Sequence, residues 1–260
     1  MNLYIGRRYK NMENVFAKGY EVTYRDTDAR GECFLTSYMN FMADCGLSQD
    51  EERGFVIADM VKENHTWMLL DYEITIYKYV KYKEKLRATT YVEGMNKFYA
   101  VRHFKIYDEE DNIIIEGRTL VVLVNAQKRR PISIPNEHYV AYGVNENTPT
   151  IGRNKLKLSG CENIDYKKEF NVRYSDIDLN LHVGNVTYLE WILETIPFEI
   201  MTEYKIYSVK IKYKKELTYG DSISVRTEIK NDDNKVSAYH EIINEDEEVV
   251  ALLETYWNKV

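Results

Sequence analysis

The sequence predicts an α+β fold made of two tandem copies of one unit, each a long helix wrapped by a curved antiparallel β-sheet. Most of the chain is rich in β-branched and aromatic residues, and 23 of its 260 residues are tyrosine, as in half-buried strands. Two other segments carry apolar residues at helical spacing, and the order of one helix followed by several long strands occurs twice. Because an apolar helix face must be covered, we expect each sheet to curve around its helix.

The composition is that of a folded protein outside the membrane. Of its residues 44% are hydrophobic and 30% charged, only 4 are proline, and no run approaches the ~18 apolar residues of a membrane span. Residues 1–8 lack the apolar stretch of a signal peptide, so we expect a cytoplasmic location. The net charge of −7 opposes non-specific binding to nucleic acid. The 3 cysteines include no C-x-x-C pair, which argues against a disulfide framework and a zinc site.

The first unit begins with a strand over residues 16–24 and a loop over 25–31. Apolar residues at helical spacing, from Tyr38 to Cys45, predict a helix with Gly46 as its C-cap, and the acidic segment 47–65 predicts one or two short helices. A hairpin turn over 108–112 joins the last two of four predicted strands. These strands cover residues 67–80, 85–93, 98–107 and 113–125.

The second unit contains the most distinctive stretch of the chain. From Asn185 onward, Val186, Leu189, Leu193 and Ile196 recur at spacings of three and four and predict a buried helix that stops at Pro197. The loop before this helix carries the polar side chains of Asp178, Asn180 and His182. A helix N-terminus has unpaired N–H groups and partial positive charge, so it can stabilise an oxyanion. The same residue types are also common as helix caps, so residue type alone leaves both roles open.

An internal repeat links the two units. One set of residues recurs after 150 positions: Tyr24, Asp26, Asp28 and Tyr38 correspond to Tyr174, Asp176, Asp178 and Tyr188. A later set recurs after 137 positions: Ile74, Tyr82 and Leu86 correspond to Ile211, Tyr219 and Ile223. Residues 143–165 lack periodicity and are the predicted linker, which divides the chain into domains 1–148 and 149–260.

The run from Asp178 to Trp191, Asp-x-Asn-x-His-Val-x-Asn-Val-x-Tyr-x-x-Trp, resembles the active-site signature of the acyl-acyl carrier protein thioesterases, the double-hotdog enzymes of fatty-acid synthesis. Members carry a further catalytic Glu in a Tyr-basic-basic-Glu run, which is similar to residues 213–216 here. The resemblance extends to the strand with Trp67 and to residues 125–131. In plant relatives a Cys follows that Glu, but this chain has Leu217, so a papain-like mechanism using that thiol cannot apply.

The resemblance implies hydrolysis of fatty acyl-acyl carrier protein to free fatty acid and carrier protein, with no cofactor. In this scheme Asp178 is the nucleophile or the general base, Asn180 positions groups, His182 transfers a proton, and Glu216 orients His182 or shares the water. Backbone N–H groups near Gly184 and Asn185 are the expected oxyanion donors. In the first unit Arg30, Glu32 and Tyr79 replace Asn180, His182 and Glu216, so only the second unit is expected to be catalytic. The first unit then supplies the acyl-chain pocket.

An acidic carrier protein requires a local basic surface on a chain of net charge −7. Two clusters are candidates: Lys210, Lys212 and Lys214, which alternate along a strand, and Lys128, Arg129 and Arg130. Solvated strand faces also carry lysines, so an unspecific role stays open for each of them. An acyl-coenzyme A thioesterase and an inactive acyl-binding hotdog protein are the alternatives. A homodimer is compatible with the sequence, which determines neither the oligomeric state nor the acyl chain length.

Overall fold

An eleven-stranded antiparallel sheet organises this computed structural model, which describes residues 14–145, 148 and 156–260. In chain order its strands are β1 Phe16–Glu21, β2 His65–Ile76, β3 Lys85–Met95, β4 Tyr99–Tyr107, β5 Ile113–Asn125, β6 Arg130–Pro131, β7 Tyr166–Asn171, β8 Tyr204–Tyr213, β9 Ser222–Asp232, β10 Lys235–Asn244 and β11 Val249–Lys259. The α-helices are α1 Leu35–Glu52, α2 Ile57–Lys62, α3 Asn136–Ala141, α4 Asn185–Leu193 and α5 Phe198–Glu203. This confirms the predicted α+β class, with one large antiparallel sheet and few helices.

The strand order places β2 and β8 side by side at the centre of the sheet. The full order is β1-β3-β4-β5-β2-β8-β11-β10-β9-β7, with the short β6 paired to β5. From the centre outward the strands of the two halves come in corresponding order, β5-β4-β3-β1 on one side and β11-β10-β9-β7 on the other. Helices α1 and α4 contact each other. The largest apolar core therefore runs through both halves of the sheet. It includes Tyr38 and Met42 of α1, Leu189 and Ile192 of α4, and Ile74 and Ile211 of the central strands.

Helix α1 is longer than the sequence predicted, because Gly46 lies inside it and is not its C-cap. A Cβ at Gly46 would lie 3.0 Å from Arg102 Nη1 and 3.3 Å from the Phe104 ring, so glycine allows the sheet to pack closely against the helix. The chain leaves α1 at Arg53, and Gly54 follows with a φ of +89°. The left-handed residue that ends this helix is therefore eight positions later than predicted.

Two other element ends also differ from the prediction. Strand β1 ends at Glu21, because the Thr23 N–H and hydroxyl both bind Asp26 Oδ2 and form a 3-10 turn over Tyr24–Asp26. Helix α4 ends at Leu193, before Pro197. Its most buried residues are Thr187, Tyr188, Leu189, Trp191 and Ile192. Its buried face is therefore rotated toward the aromatic residues relative to the predicted apolar stripe.

Residues 156–165 cross the outer face of the sheet toward its far edge. Carboxylates on that face accept their amides: Leu156 N–H donates to Asp71 (3.0 Å), Ser159 N–H to Glu254 (3.2 Å) and Glu162 N–H to Glu228 (2.8 Å). The predicted domain boundary, between residues 148 and 149, falls at a stretch that lies outside the described residues. Among the described helices, none combines the length and apolarity needed to span a membrane.

Replacing the buried His240 tests how this sheet responds to acid. His240 is fully buried, with Nδ1 2.8 Å from Thr227 Oγ1 and Nε2 3.2 Å from Thr255 Oγ1, and burial lowers its pKa to about 3. In the unfolded chain the pKa of a histidine is about 6.5. Between about pH 6.5 and about pH 3 the unfolded state therefore binds a proton that the folded state does not, and the folded state loses stability as the pH falls. His240 alone should change the free energy of unfolding by up to about 1.4 kcal/mol per pH unit in this range.

Urea unfolding of wild type and His240→Gln between pH 4 and pH 7 measures this contribution. We expect the free energy of unfolding of the variant to depend less steeply on pH, by close to one proton. Parallel pH profiles in the two proteins would contradict a neutral, buried His240.

Candidate active site

A short loop positions the predicted catalytic side chains before α4. Its ends are joined by a β-bridge between Ile177 and Val183, and the Asp178 N–H donates to the His182 carbonyl at 2.8 Å. The Leu181 N–H donates to the Asp178 carbonyl at 3.0 Å and closes a turn, and Leu181 itself is left-handed, with a φ of +63°. The loop is therefore held by its own backbone, independently of any bound molecule.

Alternate side chains of this loop point in opposite directions. Asp178, Asn180 and His182 line a cavity of about 530 Å³, whereas Leu179 and Leu181 are 78% and 76% exposed. The predicted cluster is thus brought together on one side of the loop. Glu216, from the segment after β8, lines the same cavity.

The cavity opens where the two central strands separate. Strand β2 pairs with β8 only from Asp71 to Thr75, although β2 begins at His65, and after Tyr213 the chain leaves β2. The gap between these two segments is the cavity. Its apolar and aromatic lining comes from both halves of the chain: Trp67, Met68, Leu69, Leu70, Val124, Ala126 and Pro131 from the first, and Val183, Tyr188 and Tyr213 from the second.

His182 and Glu216 contact each other at the wall of the cavity. His182 Nε2 lies 3.4 Å from Glu216 Oε2, and both side chains are about one-third to one-quarter exposed, at 31% and 26%. The same Glu216 oxygen also accepts a short hydrogen bond from Arg129 Nη2. Arg129 belongs to the turn between β5 and β6 and has a φ of +48°. Glu216 is therefore shared between an imidazole of the second half and a guanidinium of the first.

Asn180 is held from both sides. Its backbone N–H donates to Asp178 Oδ1 at 2.7 Å, and its side-chain Oδ1 accepts a hydrogen bond from the Thr66 hydroxyl of β2 at 3.1 Å. With Oδ1 occupied, the Asn180 amide nitrogen is left as the group that can donate to a bound carbonyl or water. Thr66 is a site residue that the sequence reasoning missed. It lies 114 positions from Asn180 and belongs to no motif, so only the folded sheet reveals the contact.

The two expected oxyanion donors differ in their availability. The Gly184 N–H already donates to the Asp176 carbonyl at 2.8 Å. Asn185 is the first residue of α4 and lines the cavity, and its carbonyl accepts a hydrogen bond from Tyr213 OH at 3.0 Å. Since the first amides of a helix have no partner within it, Asn185 rather than Gly184 is left as the candidate donor at the start of α4.

The six predicted carrier-binding residues lie in different places. Lys212 donates to the Leu156 carbonyl at 2.7 Å, and Lys210 lies 5.7 Å from the centre of the Tyr256 ring, both half-buried on the sheet face. Lys214 is exposed, follows the end of β8 and lines the cavity, so it does not alternate with the other two along one strand. Lys128 and Arg129 are exposed in the β5–β6 turn, and Arg130 is exposed as the first residue of β6. The cations that line the cavity are Arg129, Lys214 and Lys215.

The first half contains the same loop with different side chains. Asp28 N–H donates to the Glu32 carbonyl at 2.8 Å and Gly31 N–H to the Asp28 carbonyl at 2.9 Å, matching the bonds of Asp178 and Leu181. Here, however, Glu32 pairs with Lys205 at 2.7 Å and Arg30 pairs with Asp28 at 3.0 Å. Ion pairs therefore occupy the place where the second half has its predicted catalytic side chains.

None of the three cysteines is suited to nucleophilic chemistry. Burial raises the pKa of the Cys33 and Cys45 thiols to about 12 and that of Cys161 to about 11, so all three stay protonated at neutral pH. Leu217, at the position of the plant cysteine, is buried in the apolar core.

Comparison with known proteins places this fold and site in one family. The model of the acyl-ACP thioesterase N-terminal domain matches residues 13–142, and that of the acyl-ACP thioesterase C-terminal domain matches residues 162–259. The chain belongs to the acyl-ACP thioesterase family.

The similarity to individual relatives is distant. Over 215 residues the chain is 25% identical to a chloroplastic palmitoyl-acyl carrier protein thioesterase of Arabidopsis thaliana, covering 78% of this chain and 52% of that protein. The chain thus spans about half the length of the curated relatives that it matches. Among solved structures, the 12:0-ACP thioesterase of Umbellularia californica shares the fold with a TM-score of 0.86 and 21% identity over 100% of both chains. An acyl-ACP thioesterase of Bacteroides thetaiotaomicron has a TM-score of 0.79 and 23% identity, over 94% of this chain and 98% of that one.

Removing the Thr66 hydroxyl tests whether β2 positions Asn180. In Thr66→Val the Asn180 amide loses its partner and can rotate, so we expect turnover of a thioester substrate to fall about five-fold, the value of one hydrogen bond of ~1 kcal/mol. Thr75→Val, on the same strand but paired to Ser208, is the matched control and should retain activity. Equal activity of the two variants would show that Thr66 does not position the amide.

Proposed function

We propose that this protein hydrolyses the thioester of fatty acyl-acyl carrier protein and releases free fatty acid and carrier protein, a step that terminates fatty-acid synthesis. The observation that carries the proposal is the convergence of Asp178, Asn180, His182 and Glu216 on one cavity with an apolar wall. Membership of the acyl-ACP thioesterase family supports the same reaction. The wall offers an acyl chain an environment without water, and the polar residues lie where its thioester would be.

Each half of the chain has its own part in this scheme. We assign residues 1–148 to an N-terminal hotdog domain that forms the acyl-chain wall, and residues 149–260 to a C-terminal hotdog domain that carries the catalysis. The outward repetition of the strand order around β2 and β8 supports this division. So does the loop that occurs twice with the same backbone hydrogen bonds but only once with the catalytic side chains.

Hydrolysis requires a nucleophile and a stabilised oxyanion, and no cofactor. The Asp178 Oδ1 atom is bound by the Asn180 N–H, which leaves the other carboxylate oxygen for chemistry. That oxygen either removes a proton from the attacking water or attacks the carbonyl to give an anhydride, which water then hydrolyses. The Asn185 N–H and the Asn180 amide are the proposed donors to the oxyanion that forms on the thioester carbonyl.

The His182–Glu216 pair is assigned to proton transfer. The leaving thiolate needs a proton, and the imidazole of His182, which lines the cavity, can both donate and accept one. Glu216 holds the ring through the 3.4 Å contact between Oε2 and Nε2. Arg129 donates a hydrogen bond to the same carboxylate oxygen, and this second contact holds Glu216 at the cavity wall.

The proposed partner is the acyl carrier protein, approached through the exposed cations near the cavity. Lys128, Arg130 and Lys214 remain in this role, whereas Arg129 is bonded to Glu216, Lys212 is bonded to the Leu156 carbonyl, and Lys210 lies on the sheet face. The cytoplasmic location and a homodimer remain predictions. Nucleic acid and membrane are not proposed as partners.

The catalytic assignment predicts a contrast between the two equivalent loops. Asp178→Asn, His182→Ala and Glu216→Gln should each lower kcat by two or more orders of magnitude, roughly, because all three act at one site. Asp28→Asn is the matched control, since Asp28 makes the same backbone contact in the first loop, where its Oδ1 accepts the Arg30 N–H at 2.8 Å. Wild-type kcat in Asp178→Asn, with the circular dichroism spectrum unchanged, would eliminate Asp178 as the reacting carboxylate.

The substrate assignment is tested by comparing kcat/KM for one acyl group on carrier protein and on coenzyme A. We expect the carrier-protein thioester to be preferred and Lys214→Glu with Lys128→Glu to reduce its kcat/KM selectively, with the effect shrinking as salt rises. Equal or faster hydrolysis of the coenzyme A thioester would make this protein an acyl-coenzyme A thioesterase. Binding of acyl chains without hydrolysis of either substrate would identify an inactive acyl-binding protein.

A further inference from the structure

The two leucines of the catalytic loop are unusual in their exposure. Leu179 and Leu181 alternate with Asp178, Asn180 and His182 and leave 78% and 76% of their surface in water. The two exposed leucines lie on the outer face of the loop, opposite the side chains that line the cavity. Single exposed apolar residues need no explanation, but a pair on one face of a loop that carries the candidate site is a candidate contact surface.

The backbone of Leu181 adds a second observation. It has a φ of +63°, a left-handed conformation that is unfavourable for a leucine and natural for glycine. The equivalent loop of the first half shows what the fold itself requires at these positions. There the two residues are Ala29 and Gly31, and Gly31 has a φ of +72°.

The loop of the first half shows that the shared loop conformation does not require leucine at these two positions. Both loops keep the same backbone hydrogen bonds, and both are preceded by an exposed tyrosine, Tyr24 at 82% and Tyr174 at 84%. Exposed aromatic residues thus belong to the shared scaffold. The leucines occur only in the loop that carries the catalytic side chains, where they add apolar surface in water and backbone strain without stabilising the loop.

We propose that Leu179 and Leu181 are the apolar anchor through which the carrier protein docks on the mouth of the cavity; this inference rests on the proposed function. The thioester must reach Asp178, so the protein that carries it docks on the surface around the cavity, and the outer face of this loop belongs to that surface. Exposed cations of the same surface, Lys214 at the cavity and Lys128 in the β5–β6 turn, complement an acidic protein. Together the two leucines and these cations define a surface for a partner that is acidic and has an exposed apolar patch.

The test uses the replacements that the chain itself provides. The double variant Leu179→Ala/Leu181→Gly gives the catalytic loop the residues of the first loop, and Tyr174→Ala removes an exposed ring of the shared scaffold as the matched control. Each purified protein is assayed with one acyl group carried either on carrier protein or on N-acetylcysteamine, a thioester without a protein. Unmodified carrier protein is also tested as an inhibitor of the small substrate.

For the double variant we expect kcat/KM on carrier-protein thioester to fall about ten-fold or more, mainly through KM, since two leucine contacts are lost. The inhibition constant of free carrier protein should rise by a similar factor, while Tyr174→Ala leaves both values near wild type. Because the Leu181→Gly change places a glycine in a left-handed turn, the thermal midpoint should not fall.

Three outcomes would overturn the proposal. Equal losses on both substrates would make the leucines part of the catalytic scaffold, and unchanged values on both would leave them without a role in docking. A shift in sedimentation or in binding to lipid vesicles, without a change in carrier-protein kinetics, would assign the two leucines to self-association or to a membrane surface. The proposed function fails separately, if wild type does not hydrolyse the carrier-protein thioester at all.

Discussion

The pairing of β2 with β8 is the interaction on which the rest of this structure depends. Five residues of β2, from Asp71 to Thr75, pair with β8 and join the two halves of the chain into one sheet. Where this pairing stops, the strands diverge and leave a cavity whose walls come from both halves. A longer pairing would close the gap. Without the pairing, the apolar wall of the first half would be separated from the loop that carries Asp178. The β2–β8 pairing thus joins the two halves into one sheet, and the point where it ends determines where the cavity lies.

The same loop serves two purposes in one chain because its backbone and its side chains are independent. Bonds such as those from Asp28 N–H to Glu32 O and from Asp178 N–H to His182 O hold both loops in the same shape. In the first half, Glu32 is neutralised by Lys205, whose ammonium also lies 5.7 Å from the centre of the Tyr79 ring. A charged side chain near an apolar core requires a partner, and pairing within the chain leaves none of these groups for a substrate. The second half keeps its polar groups facing the cavity.

Much of this organisation could be predicted from the sequence, because periodicity and motif spacing are local properties. The strand over 113–125 and the cluster of Asp178, Asn180 and His182 are examples. The features that could not be predicted depend on contacts between distant segments. Gly46 has the sequence context of a helix end, yet the close approach of Phe104 makes it an interior residue. Lys212 alternates as an exposed lysine would, but residues 156–165 cross above it and its ammonium binds the Leu156 carbonyl. Thr66 and Arg129 reach the site only because β2 and β5 pair beside it.

A crystal structure of the wild-type protein with an acyl-pantetheine thioether, a non-hydrolysable analogue of the substrate, tests most directly that one half supplies the acyl wall and the other the chemistry. We expect the methylene that replaces the carbonyl carbon to lie beside Asp178, the thioether sulfur near His182, and the acyl chain against Trp67 and Met68 of β2. Contact of the acyl chain with the first loop, beside Arg30 and Glu32, would contradict it. So would a chain that lies wholly within residues 156–260 and does not touch β2.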